Sequence, residues 1–202
     1  PAISGQLIYP AMRQTIPYAY FDLFAFLSRQ NPATRIANFP QNTFWGWQFY
    51  DWPCPSGASC AGGGYRGSGF LWYGIEQPIF DRAFDVWSPY SQNYYDDVKV
   101  AVYGQSLQLL ENTLEKYSIS WVIIDNSVIV PAAADQTSLY LPQLKRLLSS
   151  SQSIKLVQSF ADLDLYQVSL NSQPQNFLST QIFTSEPDLK SYILNLKSSL
   201  TD

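Results

Sequence analysis

Along most of the chain the apolar positions follow either a helical period or the short continuous runs of buried strands. Residues 16–29 predict a first helix, with Thr15 suited to cap it, Pro17 to its first turn, and Tyr20, Phe24 and Leu27 on one face. Phe21, Ala25 and Phe26 make this helix apolar on other sides, so it is expected to be covered on more than one side. Asn31-Pro32 ends it, and 35–39 (RIANF) reads as a short strand. Further helices are predicted over 93–103, over 106–117 with Leu107, Leu110 and Leu114 aligned, and over 135–149 through Leu141, Leu144, Leu147 and Leu148. The stretch 120–130 holds Trp121-Val122-Ile123-Ile124, a largely β-branched run suited to a buried strand. Strands over 154–160 and 163–170 form a hairpin around Ala161-Asp162. A polar link over 171–181 leads to a last amphipathic helix near 186–200, striped by Leu189, Ile193, Leu196 and Leu200. This order predicts an α/β fold: a small mixed β-sheet flanked by helices, one domain over 1–170, then linker and helix over 171–202.

Between residues 39 and 95 the periodicity fails. This stretch holds 17 of the 32 aromatic residues, 8 of the 10 glycines and five of the six tryptophans. Runs such as Ala61-Gly62-Gly63-Gly64 imply irregular backbone, so a long aromatic and glycine-rich loop layer is expected as an insert in the domain. Loops of this kind tend to carry function or to pack on another surface, and the regular elements after Tyr95 hold enough periodic apolar positions to form a core without it.

Composition narrows the chemistry. Only 14% of the residues are charged, against about 25% in an average soluble domain, and the net charge is −4. That field is the wrong sign for a phosphate backbone, so nucleic acid is not an expected partner. The chain has no histidine, which removes Ser-His-Asp, Cys-His and histidine-ligated metal sites together. Cys54 and Cys60 bracket a five-residue loop suited either to a small disulfide, implying an oxidising compartment, or to two free thiols. No apolar run reaches the roughly 18 residues that would span a bilayer. The opening PAISGQLIYP starts with Pro1 and reads as the middle of a longer chain, so an excised soluble piece is expected.

Two candidate sites remain. Glu76, Asp81, Asp85, Asp96 and Asp97 are the densest acids, and two carboxylates about 5–9 Å apart suffice for glycoside hydrolysis. The competing reading pairs them with Arg82 and with backbone amides. The run 44–52 (FWGWQFYDW) offers flat faces for sugar rings through Trp45, Trp47 and Trp52, joined by Trp72 and Tyr73; the competing reading, favoured for the tryptophans of this run, is packing over the sheet or at a membrane headgroup layer. Asp96-Asp97 and Asp162-x-Asp164 lack the spacing of a calcium loop, and Gly62 to Gly69 lacks the Lys-Ser/Thr ending of a phosphate loop. Neither a metal nor a cofactor is expected.

Several segments resemble a known family. The helix around 18–27 followed by Arg35-Ile36-Ala37-Asn38-Phe39-Pro40, the block 114–125 (LEKYSISWVIID) and the hairpin 160–168 (FADLDLYQV) resemble the extracytoplasmic domain of large bacterial membrane proteins of the GT-C glycosyltransferase type. Residues 69–78 (GFLWYGIEQP) and 81–87 (DRAFDVW) are similar to multi-spanning proteins of candidate-phylum bacteria. The resemblance implies a domain on the extracytoplasmic side of the cell membrane, partnered by the transmembrane portion of its own chain and by a glycan or lipid-linked sugar. In that family the membrane part carries the catalytic acid, and no residue here matches a catalytic motif. The expectation is therefore a non-catalytic accessory domain whose ligand-binding candidates are Trp45, Trp47, Trp52, Trp72, Tyr73, Glu76, Asp81, Arg82 and Asp85. A carboxylate-dependent glycoside hydrolase and a plain protein interaction module are the alternatives.

Overall fold

A computed structural model describes residues 14–41, 47–53, 64–82, 88–130 and 137–170. In chain order the elements are α1 (Tyr18–Leu27), β1 (Arg35–Phe39), β2 (Gln48–Tyr50), β3 (Tyr65–Gly67), β4 (Ile79–Phe80), α2 (Pro89–Tyr103), α3 (Leu107–Lys116), β5 (Ile119–Asp125), α4 (Leu141–Ser150), β6 (Ile154–Phe160) and β7 (Leu163–Val168). Five strands form one sheet in the order β4-β1-β5-β7-β6, and β2 pairs with β3 in a separate ribbon. β1 runs parallel to both β4 and β5, whereas β7 is antiparallel to β5 and β6. This is the mixed α/β architecture expected from the order of elements. The linker and helix expected over 171–202 lie outside the described residues.

Strand alternation divides the core into two layers. Ala37, Phe39, Val122 and Ile124 point to one face, where α2, α3 and α4 cover them with Val98, Ala101, Leu110, Leu114, Leu144 and Leu148. Ile36, Trp121 and Ile123 point to the other, under Tyr20, Leu23 and Leu27 of α1 and under Tyr50, Trp52, Phe70 and Leu71 of the aromatic segment. The aromatic segment therefore shares one layer of the core with α1. The elements after Tyr95 supply most of the helical-side cluster, while α1 and the aromatic segment cover the opposite face of the sheet.

Several boundaries differ for local reasons. α1 starts after Pro17, which occupies the cap position without a side-chain bond, so neither the Thr15 cap nor Pro17 within the first turn holds. Its outer face is open, with Tyr18 and Phe21 exposed, contrary to a helix covered on several sides. α2 starts four residues earlier than expected, because Ser88 caps it through the Ser91 amide and Pro89 takes the first turn. α4 starts later, at Leu141, since Pro142 is tolerated only in a first turn. A short 3₁₀ turn (Thr137–Leu139) precedes it.

Candidate functional site

The aromatic layer is attached to the carboxyl end of β5 by backbone first. The Asp51 amide donates to the Ser127 carbonyl at 2.7 Å, and the Ile129 amide donates to the Phe49 carbonyl at 2.8 Å. Tyr50 faces Tyr65 across the β2–β3 ribbon, and it also bridges to Val128. The rings then stack inward. Trp52 lies 4.9 Å from Tyr20, 5.0 Å from Phe70 and 5.1 Å from Tyr65, centroid to centroid, in edge-on and stacked arrangements that rings favour.

Two buried carboxyl groups anchor this layer. Asp125, the last residue of β5, accepts from the Tyr20 hydroxyl at 2.5 Å and from both the amide (3.0 Å) and hydroxyl (2.6 Å) of Ser127. The Trp52 indole N–H reaches the Tyr20 oxygen at 3.1 Å and Ser127 Oγ at 3.2 Å, closing a four-residue cluster. Burial raises the Asp125 carboxyl to about 6 against the opposing pull of its three donors. Burial and the nearby Asp125 also push the Tyr20 phenol far up, so it stays a hydroxyl donor.

The second anchor is Asp81, just past β4. The Trp72 indole N–H donates to its Oδ2, and the Gln48 side-chain amide donates to its carbonyl at 3.4 Å. The Tyr50 hydroxyl donates to Gln48 Oε1 and accepts the Phe70 amide at 3.1 Å. Gly69 makes this approach possible, because a Cβ there would lie 2.2 Å from Asp81 Oδ2.

The sequence-predicted residues separate into distinct places. Trp52 is core, only 3% exposed, so its ring offers no face to a ligand. Trp47 (56% exposed), Trp72 (43%) and Tyr73 (69%) stand on the outer surface of the layer. Glu76 is exposed, and Asp81 is fully buried against Trp72. The Arg82 backbone amide donates to the Tyr95 hydroxyl at 2.7 Å, and its guanidinium lies 5.6 Å over that ring. Asp96 and Asp97 belong to α2 on the opposite face, paired with Lys99 at 3.3 Å and Lys116 at 2.8 Å. The acids proposed as one cluster are thus divided by the sheet, and those on α2 are each held by a lysine. Trp45, Asp85, Cys54 and Cys60 lie outside the described residues. Among the described residues no group of acids or thiols is arranged to hold a metal, and no helix is long and apolar enough to cross a membrane.

Sequence reasoning missed Tyr20, Asp125 and Ser127 as the attachment of the layer. One signal was available: an acid closing a continuous apolar strand, Val122-Ile123-Ile124-Asp125, is buried by its neighbours and must find donors.

No protein-family model matches the chain, and no curated protein sequence does. Its fold matches solved structures. The chain aligns with the arabinofuranosyltransferase AftD from Mycobacteria at a TM-score of 0.57 and 15% identity, over 86% of this chain and 14% of that one. A mutant of the same enzyme aligns equally well, over 85% of this chain. The C-terminal globular domain of an oligosaccharyltransferase from Archaeoglobus fulgidus aligns at a TM-score of 0.43 and 9% identity, over 76% of this chain and 99% of that domain. The fold is therefore one that occurs within an arabinofuranosyltransferase, and the chain spans about one seventh of that enzyme's length.

Proposed function

We propose that the chain is an accessory domain, on the extracytoplasmic side, of a larger glycosyltransferase-type membrane protein, and that its outer aromatic surface binds the glycan acceptor. The observation that carries this reading is Trp72. Its ring is 43% exposed while its indole N–H is tied to the buried Asp81 carboxylate, so a flat apolar face is presented in one fixed orientation. Tyr73, the next residue in the chain, and Trp47 of the same segment are also exposed rings. A rigid exposed ring costs little conformational entropy on binding, which suits stacking against a sugar. The placement of the acids favours binding over hydrolysis: Asp81 is engaged by Trp72, and Asp96 and Asp97 stand across the sheet.

The test is calorimetric titration of the 202-residue chain with short arabinan and mannan oligosaccharides. Saturable binding, weakened at least ~10-fold in Trp47→Ala and Trp72→Phe with unfolding unchanged in the former, is the expected result. Absence of any saturable heat with either glycan would sink the glycan-binding reading. On the same reading Cys54 and Cys60 form one disulfide in secreted material, and alkylation followed by mass spectrometry should find no free thiol.

A further inference from the structure

The exposed rings of α1 and of the 3₁₀ turn over Phe70–Tyr73 belong to one connected line. Tyr18 (84% exposed) lies 6.5 Å from Phe21 (47%), centroid to centroid, and Phe21 lies 6.2 Å from Phe24. Phe24 stacks on Phe70 at 6.0 Å, and Phe70 lies 5.5 Å from Tyr73, which is exposed again. The junction between helix and turn is tight. A Cβ on Gly74 would come within 2.1 Å of the Phe24 ring, so the turn rests directly on α1. Tyr18, Phe21, Asp22 and Ala25 follow the i, i+3, i+4, i+7 spacing of one helix face, opposite the buried Tyr20, Leu23 and Leu27. Asp22 is the single charge of α1. It is exposed, and among the described residues no hydrogen bond or ion pair engages it.

We infer that this line of rings is a track for an unbranched oligosaccharide of tetrasaccharide length, lying from the Tyr73 turn along the outer face of α1. The inference rests on the glycan-binding reading above and names the class of glycan which that reading leaves open. Four ring-to-ring steps of 5.5–6.5 Å separate Tyr18 from Tyr73, and each is about the span of one sugar ring. A sugar ring lays its apolar face on an aromatic ring and turns its hydroxyls outward around the rim. Those hydroxyls are donors, and the Asp22 carboxylate, on the same helix face as Tyr18 and Phe21, is an acceptor placed to take them. Contiguous exposed rings mark a contact surface, and the charge pattern selects its occupant. A helix that lies on a membrane presents lysine and arginine to anionic headgroups. α1 presents one carboxylate and no cation, which suits a neutral, hydroxyl-rich ligand instead.

The test is calorimetric titration of the 202-residue chain with the disaccharide, tetrasaccharide and hexasaccharide of linear arabinan and of linear mannan. The tetrasaccharide of the preferred glycan should bind at least ~10-fold tighter than the disaccharide, and the hexasaccharide within about 2-fold of the tetrasaccharide. Tyr18→Ala should weaken the tetrasaccharide by ~3- to 10-fold and Asp22→Asn by about 3-fold, with the urea midpoint unchanged because both side chains are exposed. Absence of saturable heat with every glycan removes the glycan-binding reading and the track with it. A disaccharide that binds as tightly as the hexasaccharide overturns the track alone. So does a Tyr18→Ala chain that binds the hexasaccharide as the parent does while Trp72→Phe still weakens it. Two further results would give the face another occupant and overturn the track: co-sedimentation with phosphatidylcholine vesicles that Tyr18→Ala abolishes, or a dimer that Tyr18→Ala dissociates in sedimentation equilibrium.

Discussion

The two covers of the sheet are built on different principles. On the helical side, leucines and valines of α2, α3 and α4 meet Ala37, Val122 and Ile124, and the contact is non-directional apolar packing. On the other side, rings of the aromatic layer meet the same strands, and the layer is held by hydrogen bonds to two buried carboxyl groups, Asp81 and Asp125. Apolar packing tolerates volume-conserving exchange, whereas a buried network fails when one partner is removed and the other is left unsatisfied. The helical cover needs only the right pattern; the aromatic cover needs particular side chains at particular places. That rigidity is also what allows a surface ring such as Trp72 to be held ready for a ligand.

The largest expected effect follows from Trp52, which joins packing and network. Trp52→Ala should cost ~3–5 kcal/mol in urea unfolding, at least as much as Leu114→Ala on the helical side. A clearly smaller loss than Leu114→Ala would show that the aromatic layer is a surface ornament and break the comparison. Tyr20→Phe keeps the ring and removes only the hydroxyl that donates to Asp125 and accepts from Trp52, so ~1–3 kcal/mol is expected from the network alone. A silent Tyr20→Phe would mean that packing, and not hydrogen bonding, holds this side as well.

The pH dependence of stability sharpens the same contrast. The folded carboxyl of Asp125, near 6, stands above its ordinary value of 3.8. Ionised Asp125 therefore destabilises the fold at pH 7, and stability rises as pH falls through 6 towards 3.8, because the folded state takes up the proton first. The gain between pH 7 and 5 is on the order of 1 kcal/mol. Asp164, held below the ordinary range by Lys145, Ser159 and Asn126 despite its burial, contributes stability that is lost only as pH falls below that range. The urea midpoint should thus move up between pH 7 and 5, and Asp125→Asn should flatten that rise. The smallest effect belongs to Trp47→Ala, within ~0.5 kcal/mol of the parent in stability, since this residue is mostly exposed. A larger loss would make Trp47 part of the core cover.

The regular elements were legible because each carries its own period or punctuation. Leu110 and Leu114 in α3, Leu144, Leu147 and Leu148 in α4, the run Trp121 to Ile124 and the turn at Ala161-Asp162 each appear in the structure as expected. The aromatic segment was legible as unusual but not as core. Its residues pack through long-range ring contacts and networks, such as Trp52 with Tyr20 and Trp72 with Asp81, that leave no period along the chain.

The sequence by itself determined the α/β class, the placement of the main helices and strands, and the exclusion of histidine chemistry, since local propensity, amphipathic spacing and residue identity act within a few neighbours. Only the tertiary structure decided which tryptophans are buried and which face outward, and which acids share a face of the sheet. It alone brought Tyr18 and Tyr73, 55 positions apart, to the two ends of one line of rings. Burial and charge proximity are properties of the folded arrangement, set by strand order and by which layer covers which face, and neither is written in the spacing of residues along the chain.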